Sequence, residues 1–305
     1  MRTLVTGATG FVGCRLARAL GDRGHDVRGL VRNRSRASDL ERAGIELHEG
    51  DVLDPDSLRG AGRDVDVAYY LVHSMGRGGD RDGFVERERA AASAFARMAK
   101  EEGVGRVVYL GGLGEPVSEH LKSRAETADA LAAEGPPLTY FRAAMVIGAG
   151  SDSYRVVRYL VERLPAMIAP SWLRHRTQPI AERDVIEYLV QAGERSDAEG
   201  GSEVQIGGPD VVTYGQLLDM MADVLGKRRR PRVPVPILSP RLSSHWIGLV
   251  TPVDAGVAQP LIESLASETV VTDPEPARRF DVDPMGSDEA LRLARAEESR
   301  APVPC

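Results

Sequence analysis

The sequence predicts an α/β protein with a doubly wound parallel sheet and a smaller, partly helical C-terminal region. Short apolar runs alternate with helical patterns through the first half of the chain, which is typical of repeated β-α units. A glycine-rich turn directly follows the first apolar run and opens a helix. The run from Val65 to Val72 is almost entirely apolar, as expected for a strand that helices cover on both faces.

Six strands and the helices between them account for the first half of the chain. The strands are expected at residues 3–6, 26–31, 45–48, 65–72, 106–110 and 138–142. The first helix begins at Phe11, and Leu16 and Leu20 continue its apolar face. The longest helix is expected from about residue 82 to 102. Right-handed crossovers place helices on both faces of such a sheet, and ligands bind at the carboxyl ends of its strands.

Beyond Gly150 the pattern is less regular. The expected elements are a helix at 154–164, an irregular segment at 165–179, a helix at 184–192, a short strand at 203–207, a strand-turn or loop and then a helix within 211–226, and an extended proline-rich segment at 231–240. Another helical region is expected in the tail, followed by a charged end from Ser287. We predict an N-terminal domain at 1–150, with residues 183–208 packing back on it. Residues 151–182 and 209–305 form the predicted C-terminal region.

Composition and charge exclude several classes of protein. A net charge of −6 does not favour nucleic-acid binding, and the basic run at 227–230 fits a solvated loop. Two cysteines cannot build a disulfide framework, and no paired Cys/His spacing indicates a metal site. No segment reaches the ~18 apolar residues of a membrane span, and the chain opens directly into the first strand. We therefore expect a cytoplasmic protein.

The segment Leu4-Val5-Thr6-Gly7-Ala8-Thr9-Gly10-Phe11-Val12-Gly13 indicates a phosphate-binding loop. Gly7 permits a tight turn, Gly10 lets the backbone approach a pyrophosphate, and Gly13 lets the helix pack closely on the strand. The helix N-terminus adds free N–H groups and a partial positive charge. A plain structural turn is the alternative, but the position between strand and helix favours a Rossmann-type dinucleotide site. The expected cofactor-binding residues here are Gly7, Thr9, Gly10, Phe11, Val12 and Gly13.

The second strand indicates which dinucleotide is bound. Asp26 stands at the start of that strand, at the wrong end to reach the adenosine ribose. The carboxyl end reads Leu30-Val31-Arg32-Asn33-Arg34 and carries no carboxylate. Arg32 can stack on adenine and pair with a 2′-phosphate, which favours NADP over NAD, although NAD stays possible. The alternative is that Arg32 and Arg34 simply solvate a loop.

Several segments together resemble a known family. They are Thr6-Gly7-Ala8-Thr9-Gly10-Phe11-Val12-Gly13, Leu30-Val31-Arg32, Gly50-Asp51-Val52, Tyr69-Tyr70-Leu71-Val72-His73-Ser74, Phe141-Arg142-Ala143-Ala144-Met145-Val146-Ile147-Gly148 and Arg183-Asp184-Val185. In these segments the chain resembles the NAD(P)H-binding, NmrA-like atypical short-chain dehydrogenases/reductases, which include proteins of the NAD-dependent epimerase/dehydratase family. The resemblance covers most of the chain and is most specific over residues 1–150.

The resemblance implies further cofactor contacts. Asp51, followed by the apolar Val52, would hold the adenine. The alternative for Asp51 is to cap the helical turn that follows it. Leu71, Val72 and His73 end the fourth strand, where the cofactor's ribose and nicotinamide would lie. Residues 151–182 and 209–305 would then form the substrate side.

The expected catalytic apparatus departs from the family's pattern. Active members carry a Tyr-x-x-x-Lys pair on the helix after strand five and a serine near the end of that strand. Here Gly111 and Gly112 stand where the serine is expected, and His120 and Arg124 occupy the Tyr and Lys places. His120 can exchange protons near neutral pH, whereas Arg124 can only grip ribose or phosphate. The alternative is that His120 is a polar residue beside the pocket. Ser118 is expected to cap this helix.

Two functions stay open at this point. The first is an NADPH-dependent oxidoreductase that acts on a small apolar or quinone-like carbonyl. The second is a non-catalytic NAD(P)-binding redox sensor or assembly protein, which the missing Tyr, Lys and Ser favour. Whether the chain is an enzyme, which substrate it takes, how many copies assemble and which proteins it meets are not determined by the sequence.

Overall fold

The computed structural model describes residues 1–72, 83–116, 118–164, 167–169, 171–195, 201–234 and 267–300. Its strands are β1 (Arg2–Thr6), β2 (Asp26–Val31), β3 (Glu46–Glu49), β4 (Val67–Tyr70), β5 (Arg106–Gly112), β6 (Leu138–Ala143), β7 (Val146–Ile147), β8 (Met167–Ala169), β9 (Arg176–Thr177), β10 (Ile180–Ala181), β11 (Ser202–Ile206), β12 (Val212–Thr213) and β13 (Arg232–Pro234). Its α-helices are α1 (Phe11–Asp22), α2 (Ser38–Arg42), α3 (Phe84–Glu101), α4 (Glu119–Glu134), α5 (Asp152–Arg163), α6 (Glu182–Glu194), α7 (Tyr214–Val224) and α8 (Ser287–Glu298).

Seven strands form one parallel sheet in the order β11-β6-β5-β4-β1-β2-β3. The chain winds from β1 outward to β3, then crosses back to place β4 on the other side of β1. The predicted fold class, a doubly wound parallel sheet, is confirmed. Reversal of the strand order beside β1 opens a crevice at the carboxyl ends of β1 and β4, where such sheets bind ligands.

Apolar side chains cover both faces of the sheet. On one face α1 and α6 bury residues such as Leu16, Leu20 and Leu189 against the strands. On the other face α3 and α4 bury residues such as Phe95 and Leu131. Because both faces are covered, all four residues of the central strand β4 are buried rather than alternately buried and exposed.

The second half of the chain contributes to the sheet and also builds its own core. β11 pairs with β6 at the sheet edge, and α6 packs against α1. A separate apolar cluster joins α5, α7 and α8 through Tyr154, Leu217 and Leu291. Helix α6 and strand β11 thus contact elements of the first half of the chain, while the division into domains stays a prediction.

Strand β4 is shorter than the predicted run 65–72. Val65 belongs to a turn, since its N–H donates to the carbonyl of Gly62 at 3.1 Å. At the other end the Leu71 N–H donates to the hydroxyl of Thr6 at 2.9 Å, and that hydroxyl donates to the Tyr69 carbonyl at 3.1 Å. A side chain thus replaces the ladder hydrogen bond and ends the strand where the crevice begins.

The charged end expected from Ser287 is a helix in the structure, which the sequence did not predict. Residues Ser287–Glu298 form helix α8, which buries Ala290, Leu291 and Ala294 while its charged residues face outward. The apolar stripe is narrow and consists mostly of alanine, so the charges dominate the sequence pattern.

The basic run at 227–230 is exposed apart from the half-buried Arg230. Arg229 pairs with Asp223 at 2.7 Å, and Arg230 donates to the carbonyl of Val161 at 3.0 Å. Helices long and apolar enough for a bilayer do not occur within the described ranges. The same residues hold no cluster of three His, Cys, Asp or Glu side chains suited to a metal ion.

Candidate functional site

The glycine loop between β1 and α1 is tightly closed on itself. Gly7 has a φ of +62°, and a Cβ at this position would lie 2.8 Å from the carbonyl oxygen of Leu71. A Cβ at Gly13 would lie 2.2 Å from the carbonyl oxygen of Gly7. The Gly10 N–H donates to that same Gly7 carbonyl at 2.8 Å. Glycine is therefore required at Gly7 for backbone conformation and at Gly13 for close approach.

The first turn of α1 presents unused donors to the crevice. Gly10 precedes the helix, offers no side-chain cap, and accepts the first helical hydrogen bond from the Cys14 N–H at 3.0 Å. The N–H groups of Phe11, Val12 and Gly13 have no acceptor among the described residues. Three parallel donors at a helix N-terminus fit a diphosphate, because the helix dipole also favours an anion there.

The end of β2 places the cation Arg32 beside this loop. Thr6 and Leu30 are in register on the neighbouring strands, so Arg32 follows directly at the crevice. The Arg32 side chain is exposed, and no carboxylate of the described residues pairs with it. Arg34, by contrast, donates through Nε to Glu41 at 2.8 Å. Asp26 is in register with Arg2 of β1 at the opposite end of the strand, as the sequence indicated.

The end of β3 forms a compact turn around Asp51. A Cβ at Gly50 would lie 2.7 Å from the carbonyl oxygen of Ser57, so this turn packs closely on the segment after it. The Asp51 carboxylate accepts the Leu53 N–H at 3.0 Å, and Val52 is buried. The alternative role of Asp51 as helix cap is not seen, since Asp54 is the residue that precedes the short 3₁₀ helix.

Two of the three residues predicted at the end of β4 lie at the crevice. Leu71 and Val72 are half-buried and pack against the clusters on opposite faces of the sheet. His73 lies outside the described residues. The ends of β1 and β4 meet here, because Gly7 abuts the Leu71 carbonyl.

At the end of β5, a side chain in place of either Gly111 or Gly112 would have to displace a neighbouring side chain. A Cβ at Gly111 would lie 2.7 Å from Cε2 of Tyr140, and one at Gly112 would lie 2.7 Å from Cδ2 of Leu121. Arg142 on β6 holds this segment by donating through Nε to the Gly112 carbonyl at 3.2 Å and through Nη2 to the Gly114 carbonyl. This role of Arg142 was not predicted. The sequence indicates it only by a single cation within a mostly apolar strand.

Helix α4 places the substituted pair beside β5. Ser118 caps the helix, as expected, by accepting the Leu121 N–H at 3.2 Å. His120 is half-buried in the first turn, and Arg124 follows one turn later. Their spacing of four residues puts both side chains on one face of the helix.

Arg124 is a cation held at the end of β5. Its Nη1 donates to the carbonyl of Leu110 at 3.2 Å, and its own carbonyl accepts the Tyr109 hydroxyl at 3.3 Å. Its Nε is buried and has no acceptor among the described residues. Burial lowers the pKa of Arg124 to about 9, so the guanidinium stays charged at neutral pH. Nε of Arg106 and of Arg158 is likewise buried without an acceptor among the described residues, so it is the position of Arg124 at the end of β5 that makes it a candidate ligand contact.

A second charged cluster lies on the other side of the loop and was not anticipated. Arg15 on α1 pairs through Nε with Glu182 at 2.8 Å. Burial raises the pKa of Glu182 to about 7, while Arg15 opposes the shift and Glu297 adds to it. Nothing local in the sequence pairs these residues, because they lie on α1 and α6.

The parallel sheet, the closed glycine loop and the exposed donors of α1 together define a dinucleotide-binding protein of the Rossmann class. Residues 7–143 match the family described as NAD(P)H-binding. This part of the chain is therefore an NAD(P)H-binding domain, and the resemblance to NmrA-like, atypical short-chain dehydrogenases/reductases is confirmed for it.

Similar proteins include reductases and one respiratory-complex subunit. A 2-alkyl-3-oxoalkanoate reductase of Stenotrophomonas maltophilia is 33% identical over 109 residues, 36% of this chain and 32% of that protein. The chain thus spans about a third of the length of this and similar curated relatives. Subunit 9 of the NADH dehydrogenase [ubiquinone] 1 alpha subcomplex of Arabidopsis thaliana is 26% identical, over 76% of this chain and 60% of that one.

Solved structures share the fold over nearly the whole length. An NADPH-dependent quinone oxidoreductase from Escherichia coli, in complex with NADPH, superposes with a TM-score of 0.74 at 18% identity. The superposition covers 95% of this chain and 98% of that one. At this level of identity the similarity shows the fold, and the site must be argued from its own residues.

Proposed function

We propose that the protein is an NADPH-dependent oxidoreductase that reduces a small apolar or quinone-like carbonyl compound. The observation that carries the proposal is the buried guanidinium of Arg124, which donates to the Leu110 carbonyl at the end of β5, with His120 one turn earlier on the same helix face. A cytoplasmic location, expected from the sequence, is part of this proposal.

The residues around the crevice would hold the cofactor in order along the strand ends. The first-turn donors Phe11, Val12 and Gly13, with Gly7, Thr9 and Gly10 forming the loop, would bind the diphosphate. Arg32 would pair with the 2′-phosphate, and Asp51 with Val52 would border the adenine. Leu71, Val72 and His73 would line the ribose and nicotinamide side. The bound cofactor would supply a hydride.

The protein's own contribution to the reaction would be orientation and a proton. Arg124 stays charged, so it would orient a ribose hydroxyl or the substrate oxygen but cannot release a proton. His120 is the nearby group that can donate a proton to a carbonyl oxygen near neutral pH. The similar oxoalkanoate reductase and quinone oxidoreductase support a carbonyl or quinone as the substrate class.

The test is oxidation of NADPH, followed by absorbance, across a panel of quinones and small carbonyl compounds. His120→Ala is expected to lower turnover by about a hundredfold or more, since general acid catalysis contributes that much, while NADPH affinity stays unchanged. Lys122→Ala is the matched control, because Lys122 is an exposed neighbour on the same helix that pairs with Glu126. Equal turnover in the two variants would remove His120 from the mechanism.

The preference for NADPH is tested separately at Arg32. We expect Arg32→Ala to weaken NADPH binding about tenfold, as loss of one charged phosphate contact does, and to leave NADH binding nearly unchanged. Arg34→Ala is the control, because Arg34 is already paired with Glu41. Equal losses for the two dinucleotides, or none for either, would contradict a 2′-phosphate contact.

A second candidate function is binding without catalysis, as a redox sensor or assembly protein. The absence of the family's serine, tyrosine and lysine from their expected places favours it. The similarity to an NADH dehydrogenase subunit points the same way. NADPH binding without turnover on every member of the panel would favour this function over the reductase.

A further inference from the structure

Arg15 contacts three separate parts of the chain at the start of α1. Its Nε pairs with Glu182 of α6, its Nη2 donates to the Ala149 carbonyl at 2.7 Å, and its Nη1 donates to the Phe11 carbonyl at 3.2 Å. The guanidinium also stacks on the Phe11 ring, 4.4 Å from its centroid. The Arg15 and Glu182 side chains are 17% and 13% exposed, so this is a largely desolvated pair.

These contacts fix the loop at 148–151 against the first turn of α1. A Cβ at Gly148 would lie 2.8 Å from Cζ of Phe11 and 2.7 Å from Cβ of Glu182, so the three groups are in close packing. The loop is itself a closed turn, in which the Ser151 N–H donates to the Gly148 carbonyl at 3.1 Å. Phe11 is thus held by its ring, while its N–H has no acceptor among the residues that the structure describes.

We propose that Arg15, anchored by Glu182, is a positioning residue that locks the loop at 148–151 onto Phe11 and so preorganises the diphosphate-binding turn. The inference rests on the proposed binding of NADPH at this turn. Its physical basis is that donors already fixed in the bound geometry lose less conformational entropy on binding. Arg15 acts through Phe11 and touches no reacting atom.

The chain offers a matched control at the other end of the same helix. Arg23 also joins α1 to α6, pairing with Glu187 at 2.6 Å and with Glu194 at 3.0 Å. It differs from Arg15 in lying after the last turn of α1, away from the glycine loop. Its pairs are also more exposed, at 38% for Arg23.

The experiment compares two probes, NADPH and adenosine 2′-monophosphate, which lacks the diphosphate and reports only the adenosine end. Arg15→Met is expected to weaken NADPH binding about tenfold and to change binding of the nucleotide monophosphate less than about twofold. Glu182→Gln should give a smaller loss of the same kind, and Arg15→Lys a partial rescue. Arg23→Met should bind both probes as the wild type does.

Three outcomes would overturn the inference. Unchanged NADPH binding in Arg15→Met, with binding intact in the wild type, would refute it and leave the proposed function standing. Equal losses for both probes, with a lowered unfolding midpoint, would show a general structural role instead. Failure of the wild type to bind NADPH at all would overturn the proposed function together with the inference.

Discussion

A Gly13→Ala variant is expected to lose at least about a hundredfold in affinity for NADPH. Its Cβ would lie 2.2 Å from the carbonyl oxygen of Gly7 and 2.8 Å from the carbonyl carbon. Both atoms are backbone and belong to the same closed loop, so no side-chain rotation relieves the contact. Helix α1 must therefore shift away from the loop and carry the donors of Phe11 and Val12 with it. Each charge-assisted hydrogen bond lost in this way costs about 1.5–3 kcal/mol.

Gly21→Ala provides the control within the same helix. A Cβ at Gly21 meets nothing within 4 Å, and the position is exposed. This variant should therefore bind NADPH normally. Because alanine is the better helix former by about 1 kcal/mol, its unfolding temperature should be slightly higher than that of the wild type. Fluorescence titration with NADPH compares the two proteins directly. Wild-type affinity in Gly13→Ala would show that the loop does not bind the diphosphate.

The glycine loop could be predicted from the sequence because the residues that determine its conformation are close together in the chain. Strand, turn and helix start follow one another within a dozen residues, and each glycine has a steric reason that the pattern reveals. The structure adds the partner of the close approach, since Gly13 abuts the Gly7 carbonyl within the loop rather than a side chain of the strand. The positions of His120 and Arg124 on one helix face followed in the same way from helical spacing.

Contacts between distant segments could not be predicted. Arg15 and the Ala149 carbonyl are 134 residues apart in the chain, and nothing in either local segment indicates that the two are in contact. Likewise, the close contact that a Cβ at Gly111 would make with the Tyr140 ring depends on the register of β5 against β6. A single sequence shows residue types, but it does not show which of them the fold brings into contact.

The charged C-terminal helix shows a different limit. Its apolar residues are mostly alanines, so their periodic signal is weak beside the many charges. What makes α8 a helix is tertiary packing against α7 and against β7 and β10, which no local pattern records. Most helical stability in proteins comes from such packing rather than from intrinsic propensity.

Leu291→Ala is expected to destabilise the protein by about 3 kcal/mol, in the usual range for removing a fully buried leucine. Leu291 is 0% exposed and packs in the cluster that joins α5, α7 and α8. Removing its side chain leaves a cavity between helices that cannot close fully, because their backbones are held by the other members of the cluster. The free energy of unfolding, from urea titrations at one pH, measures the effect.

Leu293→Ala, two residues along the same helix, isolates burial from helix propensity. Leu293 is 37% exposed, so the same chemical change there should cost less than about 1 kcal/mol. Both substitutions replace leucine with alanine on one helix, and their propensity terms therefore cancel. A large difference between the variants requires α8 to pack as an integral part of the cluster that it forms with α5 and α7. Equal, small effects would mean that Leu291 is exposed to solvent and that α8 does not pack in this cluster.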